Sequence, residues 1–444
     1  MSFDHEKLWS RLAPLLNQAP SKLTFKLTVG FSGGLDSTVL LHALHRLYSS
    51  TDSFELSAIH INHRLQKSSD DWEKFCKDFC RQYEIPFQSI CVDIFTQGKG
   101  LEAAAREARY KTFQNYLNED DLLLTAHHLD DHIETLFLKL LRGTGIEGAQ
   151  GIQAVSRIYG LNVFRPLLTF DRESLMNYAL AEKITWIDDP SNLSDQFDRN
   201  YLRHNVLPLI EKRWPAYKET LHRFTENMID ANSVIHESIT EAYQKVFDQQ
   251  EHTLDLSRLS NYSAEKIKMI LRHWISDAGF SAPSQKQLLQ ITKLIAARQD
   301  AKPMVEWGDA NVRRFKDRLY IQLRGKSFDL RHYQWDLQLP LEIPGVGKLV
   351  AVESVGKGIK ASELGDGVTI KFRAGGEVCK PSKRLHRHSF KKLLQEYNIP
   401  PWRREKIPLL YIGTEIAAVV NLFYCDPYAA KENEVGYEIL LESI

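Results

Sequence analysis

The sequence is poor in cysteine, and its cysteines are not spaced to share a metal or a cluster. Only five occur among the 444 residues, and no two of them form a CxxC pair (Cys76, Cys80, Cys91, Cys379 and Cys425). An odd, scattered set argues against a disulfide framework, a zinc ribbon or an iron–sulfur site. We therefore expect the protein to function in a reducing compartment.

Long apolar runs and an excess of either charge are also absent. A membrane-spanning helix needs about eighteen uninterrupted apolar residues, and the sequence has no such run. Its N-terminal stretch, MSFDHEKLWSRL, carries acidic residues and lacks the apolar segment of a signal peptide. Lys plus Arg and Asp plus Glu each number 57, so the overall charge does not indicate a nucleic-acid partner. We expect a cytoplasmic protein that makes no membrane contact.

The N-terminal part of the sequence alternates strand and helix patterns. Strands are predicted at Phe25–Phe31, Phe54–Asn62, Pro86–Asp93 and Asp121–His127, and helices at Thr38–Leu47, Asp70–Tyr83, Leu101–Leu117 and Asp130–Arg142. This alternation predicts an α/β fold with a doubly wound parallel sheet. Ligands of such sheets bind beyond the carboxyl ends of the strands, so the loops after the first and fourth predicted strands should share a site.

The remaining sequence predicts two further domains. From Pro215 to about Ala297 the pattern is helical without a comparable strand, and Met304–Leu323 reads as a hairpin. From about Trp335 onward it is strand-rich and glycine-punctuated, with one clear helix at Ser389–Tyr397. We therefore predict a catalytic domain, a mainly helical domain and a small α+β C-terminal domain, at residues 1–215, 216–330 and 331–444.

A glycine-rich loop, SGGLDS at residues 32–37, follows the first predicted strand and precedes a helix. Adjacent glycines let successive backbone N–H groups converge, and the helix behind adds its positive end, so the loop suits phosphate. No Lys follows the glycines as in a Walker loop, so the γ-phosphate is not the evident target. Ser32 and Ser37 can donate hydrogen bonds to phosphate, and Asp36 among phosphates indicates a divalent cation. The alternative is that any tight strand-to-helix turn uses such residues.

A second polar block, HHLDDHIET at residues 127–135, concentrates histidines and carboxylates. Asp131 and Glu134 are three residues apart and should share a helix face. Three interpretations remain open: a metal site, for which no HExxH spacing exists; helix capping by Asp130 or Asp131; or a carboxylate pair that binds a cationic amine and removes its proton.

Several basic residues recur at helical or clustered spacing. Arg106 and Arg109 lie one helical turn apart, and solvated surface charge is the default interpretation of such a pair. Arg199 and Arg203 are four residues apart, in a segment that by itself reads as a capped surface helix. Residues 371–406 hold eleven Lys and Arg against three Glu. This local excess favours RNA binding, for which we select Lys383, Arg384, Arg387, Lys391, Lys392, Arg403 and Arg404.

These strings together resemble one family. SGGLDS is similar to the nucleotide loop of the pyrophosphatase-loop ATPases, which cleave ATP between the α- and β-phosphates. Within that superfamily, the chain closely resembles the bacterial tRNA(Ile)-lysidine synthetases through REARY at 106–110, HHLDDHIET at 127–135 continuing to Arg142-Gly143, RPL at 165–167, DPSN at 189–192, DRNYLR at 198–203, KLLQEYNIPPW at 392–402 and PLL at 408–410. His132 departs from the Gln usual in the family, and we interpret it as tolerated.

The resemblance implies an adenine nucleotide α-hydrolase-like fold and a two-step reaction. ATP adenylates the C2 oxygen of the wobble cytidine in the CAU anticodon of tRNA(Ile), and free L-lysine then displaces AMP to form lysidine. The implied ATP-binding residues are Ser32, Gly33, Gly34, Leu35, Asp36 and Ser37, and Asp36 would also hold Mg²⁺. Asp131 and Glu134 would bind the lysine ammonium, Arg109 would steady phosphate charge, and Arg199 and Arg203 would contact tRNA or nucleotide.

Other functions remain open from the sequence. A tRNA-thiolating enzyme of the same superfamily would need positioned cysteines, and Cys76 and Cys80 are expected to be core residues instead. A small-molecule amidating synthetase would leave the basic C-terminal segment without a purpose. A non-catalytic RNA-binding protein would not need Asp36, Asp131 and Glu134. The sequence leaves open whether the chain is a monomer or a homodimer.

Overall fold

The computed structural model describes residues 2–16, 25–49, 54–64, 69–94, 101–118, 120–189, 197–296, 304–324, 331–365 and 367–442. The chain divides into two compact units, Met1–His236 and Glu237–Ile444. The predicted boundaries at 215/216 and 330/331 do not coincide with this division, and the three predicted domains stay a prediction. No helix among the described residues is long and apolar enough to cross a membrane.

The first unit is built on a six-stranded sheet. Its strands are β1 (Phe25–Gly30), β2 (Phe54–Asn62), β3 (Phe87–Cys91), β4 (Leu122–Leu124), β5 (Val155–Ile158) and β6 (Leu161–Phe164). They lie in the order β3-β2-β1-β4-β6-β5, and every neighbouring pair is parallel except β5 with β6. The doubly wound parallel sheet is thus confirmed, and the β5–β6 hairpin is an addition that the sequence pattern did not reveal.

The chain of the first unit also forms helices, the last of which extends past His236 into the second unit. They are α1 (His5–Leu16), α2 (Leu35–Tyr48), α3 (Ser69–Gln82), α4 (Leu101–Tyr116), α5 (Leu129–Leu141), α6 (Ile146–Ala149), α7 (Arg172–Ala181), α8 (Asp198–Tyr201), a π-helical turn (Leu202–Val206), α9 (Leu207–Arg213) and α10 (Tyr217–Val246). In β1 the consecutive residues Leu27, Thr28 and Val29 are all buried, as expected of a strand covered on both faces. Cys76 and Cys80 lie in the same core, which confirms the structural interpretation of both.

The topology decides where a ligand can bind. From β1 the chain passes to β2 and β3 on one side of the sheet, and then crosses to β4 on the other side of β1. Val29 of β1 is paired with Leu124 of β4, so both strands end at the same edge. The loops that follow them therefore meet at a topological switch point, where doubly wound sheets bind ligands.

The second unit combines helices with antiparallel sheets. Its elements are β7 (Phe247–Asp248), β8 (Thr253–Asp255), α11 (Leu256–Leu259), α12 (Ala264–Asp277), α13 (Gln285–Ala296), β9 (Met304–Trp307), β10 (Ala310–Phe315), β11 (Arg318–Leu323), β12 (Tyr333–Trp335), β13 (Leu341–Ile343), β14 (Gly347–Val355), β15 (Ile359–Lys360), β16 (Val368–Lys371), β17 (Val378–Cys379), β18 (His388–Ser389), α14 (Phe390–Glu396), β19 (Leu409–Ile412), β20 (Glu415–Val419), β21 (Phe423–Tyr424) and β22 (Val435–Glu442). Their sheets have the orders β7-β8-β11-β10-β9, β12-β16-β19-β20-β21, β13-β14-β22-β15 and β17-β18.

Two predictions for this unit are confirmed and one is corrected. The hairpin is formed by β10 and β11, which are paired at Arg313 and Tyr320, and α14 lies where a helix was expected. The expectation of helix without strands before residue 297 is wrong, because β7 and β8 are strands. These segments are too short to show a period of their own, and pairing of Leu254 with Leu319 of β11 makes β8 a strand.

Candidate active site

The backbone conformation of the SGGLDS loop requires glycine at its second position. Gly33 has φ +81°, in the left-handed region that favours glycine. A Cβ at this position would lie 3.0 Å from Cys76 Sγ and 3.1 Å from Ile187 Cδ1, so the loop is also pressed against the core. Ile187 donates its N–H to the Gly33 carbonyl at 2.9 Å. A larger residue at position 33 would strain and displace the loop.

The loop opens onto the N-terminus of α2. Gly34 is the N-cap, and no side chain caps the helix, which leaves N–H groups of the first turn for a bound anion. The Ser32 and Ser37 hydroxyls lie 3.0 Å apart, and Ser37 Oγ donates to the Gly34 carbonyl at 3.1 Å. Ser32 is exposed and can turn toward a ligand. The arrangement suits phosphate.

Asp36 connects this loop to the second polar block through His128. Asp36 Oδ2 lies 3.6 Å from His128 Nε2, while Asp36 Oδ1 is buried without a hydrogen-bond partner. A buried carboxylate oxygen without a donor fits a cation ligand better than a structural role. Among the described residues, no group of three or more His, Cys, Asp or Glu could hold a metal ion by itself. Mg²⁺ here would depend on phosphate oxygens for its other ligands.

His128 is the residue whose role the sequence did not predict. It is 2% exposed, and its ring lies 3.5 Å from both Asp130 and Asp131 in addition to Asp36. Burial opposes its charge, but the Asp131, Asp130 and Asp36 carboxylates raise its pKa well above the ordinary value. The His128 ring therefore lies among three carboxylates, which favour its protonated form. The only sequence signal was its position beside two aspartates.

The two aspartates of the block have different partners. Asp130 accepts the Arg172 N–H at 2.8 Å and pairs with Lys218 Nζ at 2.7 Å, so it anchors the start of α7 and the first turn of α10. Asp131 Oδ2 accepts the His128 N–H at 3.2 Å, so the capping interpretation is confirmed for Asp131. Asp131 also lines the cavity described below, whereas Asp130 is committed to structural contacts.

Glu134 is enclosed by the two arginines of the DRNYLR string. Its carboxylate is fully buried and receives a bidentate pair from Arg203, Nε to Oε1 at 2.7 Å and Nη2 to Oε2 at 3.0 Å. Arg199 Nε lies 3.3 Å from Oε2, and its Nη2 donates to Thr135 Oγ1 at 2.8 Å. Both arginines are therefore paired with a buried carboxylate, which a capped surface helix does not require. Their contact with tRNA stays a prediction.

The SGGLDS loop and the HHLDDHIET block both line a cavity of about 420 Å³. Of the residues selected from the sequence, it is lined by Ser32, Gly34, Asp36, Ser37, Arg109, Asp131 and Arg199. Gly33, Leu35, Glu134 and Arg203 do not line it. Arg106 packs over the Tyr110 ring at 5.0 Å. The Pro190–Asn192 part of the DPSN string lies outside the described residues.

Six of the seven predicted RNA-binding residues of the second unit fall into two groups, and the seventh, Arg404, donates its Nε to the Ile399 carbonyl at 2.9 Å. Arg384 pairs with Glu396 at 2.6 Å, Arg403 pairs with Glu251 at 3.1 Å, and Arg387 pairs with Glu415. Their charges are partly offset within the protein. The exposed lysines of the selected set are Lys383, Lys391 and Lys392. RNA contact by either group stays a prediction.

Comparisons with known proteins identify the family of the chain. Family models for a PP-loop domain, a TilS substrate binding domain and a TilS substrate C-terminal domain match residues 5–210, 254–320 and 368–441. The tRNA(Ile)-lysidine synthase of Coxiella burnetii is 36% identical over 415 residues, or 93% of this chain and 92% of that protein. The Yersinia pestis protein of the same name is 38% identical over 422 residues, 91% of each chain. Among solved structures, a tRNA thiolase from Methanococcus maripaludis matches 51% of this chain and 77% of its own, at 19% identity with a TM-score of 0.42. The full-length sequence matches show that the chain belongs to the tRNA(Ile)-lysidine synthase family.

Proposed function

We propose that the chain forms lysidine at the wobble cytidine of a tRNA(Ile) with a CAU anticodon, from ATP and free L-lysine. The observation that carries the proposal is the shared cavity. The phosphate-type loop ending at Ser37 and the carboxylate of Asp131 come from distant parts of the sequence and line one space. A two-step reaction needs both an adenylating site and an amine site within reach of one base.

In the first step the C2 oxygen of the cytidine attacks the α-phosphorus of ATP, and pyrophosphate leaves. The N–H groups at the start of α2 and the Ser32 and Ser37 hydroxyls would bind the phosphates. Arg109, exposed at the cavity, would offset phosphate charge. Asp36, with one oxygen free of any donor, would hold Mg²⁺, which supplies positive charge against the leaving pyrophosphate.

In the second step the amine of lysine attacks C2, and AMP leaves. The amine arrives as an ammonium and must lose a proton before it can attack. Asp131 lines the cavity and is our first choice to bind the ammonium and accept the proton. Glu134 remains part of the proposed lysine site, but direct contact would require the ammonium to replace at least one Arg203 bond.

His128 would serve both steps as a positioning residue. Its ring lies 3.6 Å from Asp36 and 3.5 Å from Asp131, so one buried side chain lies beside both the proposed metal ligand and the proposed amine ligand. The surrounding carboxylates raise the pKa of His128, and its positive charge would offset the repulsion between Asp36 and Asp131.

The remaining chain would bind the tRNA. The matches at residues 254–320 and 368–441 support assigning the predicted domains 216–330 and 331–444 to this task. Contacts to phosphates and to RNA shape would predominate there. Cytoplasmic location is part of the proposal, and the choice between monomer and homodimer stays open.

Cys76 and Cys80, the two cysteines considered for the thiolation alternative, do not suit it. Such an enzyme needs an accessible, acidic thiol or a cluster. Cys76 and Cys80 are fully buried, and burial raises the pKa of both thiols.

One assay tests the function directly. The protein is incubated with ATP, labelled lysine and a tRNA(Ile) transcript with the CAU anticodon, and label in the RNA is measured. We expect ATP-dependent incorporation that disappears when the wobble cytidine is replaced by uridine. Absence of incorporation, or equal incorporation into the uridine transcript, would refute the proposal.

A further inference from the structure

Lys218 contacts the polar block of the active site from beyond the matched PP-loop domain. That match ends at residue 210, and Lys218 lies in the first turn of α10. Its Nζ lies 2.7 Å from Asp130 Oδ1, and its side chain is 20% exposed. In the part of the chain that the structure describes, the only other basic side chain within 4.0 Å of Asp130 is His128. The charge of Asp130 is therefore offset by two side chains, one of them outside the PP-loop match.

Contacts along α10 hold Lys218 against α5, the helix of the HHLDDHIET block. Tyr217 shares a buried apolar cluster with Ile133 of α5. Two helical turns after Lys218, Thr225 Oγ1 is bonded to His132 Nε2 at 2.9 Å. The Lys218 ammonium is therefore presented from a helix that is fixed on both sides of it.

Asp130 lies between Lys218 and His128. Its Oδ1 pairs with Lys218, while its Oδ2 accepts the Arg172 N–H at 2.8 Å and lies 3.5 Å from His128 Nδ1. Burial opposes its charge, but His128, Lys218 and the Arg172 N–H hold the pKa of Asp130 below the ordinary value. A buried carboxylate that loses one counter-ion interacts more strongly with the one that remains. Without Lys218, Asp130 would attract the His128 ring.

The other nitrogen of His128 faces the carboxylates of the cavity. His128 Nε2 lies 3.6 Å from Asp36 and 3.5 Å from Asp131. The ring therefore has Asp130 on its Nδ1 side, and the proposed metal and amine ligands on its Nε2 side. Movement of the ring toward Asp130 would withdraw Nε2 from both ligands. A misplacement of about 1 Å in an active site can slow a reaction about a hundredfold.

We propose that Lys218 is a positioning residue for lysidine formation: by pairing with Asp130, it keeps that carboxylate from drawing the His128 ring away from Asp36 and Asp131. The inference rests on the proposed function, because its consequence is measured in that reaction. Neither Lys218 nor Asp130 lines the cavity, so the effect passes through His128 rather than through contact with a substrate.

The test compares Lys218 with a second lysine that anchors the same helix. Lys139 of α5 is also half-buried, and its Nζ donates to the Gly151 carbonyl at 2.7 Å. Lysine incorporation into the CAU transcript is measured for full-length K218M, K218R and K139M at a temperature where all are folded. We expect K218M to lower kcat roughly tenfold and to leave the KM for ATP within about twofold, because the phosphate loop is unchanged. K218R keeps the charge and should stay within about threefold of wild type, and K139M within about twofold.

A second substitution distinguishes positioning of His128 from simple anchoring of α10. D130N keeps an oxygen that can accept the Arg172 N–H, but it removes the charge that attracts the His128 ring. K218M/D130N should therefore recover most of the kcat lost in K218M, although the contact between α5 and α10 is still missing. If Lys218 only anchors α10, the double variant will be as slow as K218M.

Three results would each overturn the inference: wild-type kcat in K218M, an equal loss of kcat in K218M and K139M, or no recovery in K218M/D130N. If K218M does not fold, as judged by thermal unfolding, K218Q replaces it with the same expectations. A wild-type protein that incorporates no lysine would refute the proposed function and this inference with it. An active wild type with an unaffected K218M would count against the inference alone.

Discussion

Replacing Glu134 with Gln tests whether this carboxylate contacts the substrate or organises the arginines around it. Breaking a buried ion pair by removing one partner costs about 3–5 kcal/mol. The Arg203 and Arg199 side chains are 30% and 32% exposed, so solvent can screen part of the charge left behind. We therefore expect E134Q to lower the free energy of unfolding of the first unit by about 2–3 kcal/mol. For a unit of this size, the unfolding temperature should fall by roughly 5–10 °C.

A matched control is the same substitution at Glu182, which pairs with Arg46 at 2.8 Å on the surface. E182Q should cost less than about 1 kcal/mol, because exposed pairs contribute little. The double variant E134Q/R203Q should recover part of the stability lost in E134Q, since it also removes the guanidinium that was paired most closely with Glu134. Differential scanning calorimetry of the four proteins measures these differences.

The activity of E134Q shows whether Glu134 contacts the substrate or organises the arginines. Arg199 lines the cavity, and Glu134 is one of its anchors, so we expect E134Q to slow pyrophosphate release as well as lysine incorporation. Both are measured with the CAU transcript below the unfolding temperature of the variant. This reasoning would be refuted if E134Q kept wild-type stability and wild-type pyrophosphate release and lost only lysine incorporation. That result would show instead that Glu134 binds the lysine ammonium directly.

Two further substitutions test the loop and the unusual histidine. G33A should abolish ATP binding, measured by calorimetry, because φ +81° and a Cβ 3.0 Å from Cys76 Sγ strain the loop; wild-type affinity would contradict this. H132Q should keep lysine incorporation and remove a pH dependence of stability. Burial lowers the pKa of His132 to about 4, and its neutral ring accepts the Ile152 N–H at 3.1 Å and bonds Thr225 Oγ1 at 2.9 Å. The neutral His132 ring therefore contributes its full stabilisation above pH 6.5, the ordinary pKa of histidine. That contribution, ~3 kcal/mol in the free energy of unfolding, is lost as the pH falls toward 4. Urea unfolding at several pH values should show a smaller loss in H132Q, and parallel curves would contradict the assignment.

The fold of the first unit was largely predictable because its signals are local. Strand and helix periods alternate clearly, and the pattern after β1 predicted both the SGGLDS turn and α2. The prediction missed short strands that form because a neighbouring strand pairs with them, since their own sequences show no strand pattern. Val155–Ile158 and Phe247–Asp248 are strands because a neighbouring strand offers hydrogen bonds, and neither segment is long enough to show a period.

Within the site, the sequence by itself determined which chemical groups are present and roughly where they lie. SGGLDS after a strand predicted a phosphate loop, and a carboxylate block after the fourth predicted strand was expected at the same edge. The tertiary structure decided the partners. It joined Asp36 and Asp131 through the buried His128, and it enclosed Glu134 between Arg199 and Arg203. Spacing along a chain specifies which face of an element a side chain occupies, whereas burial and counter-ions depend on elements far away in sequence, and these decide whether a charge is free to bind a substrate.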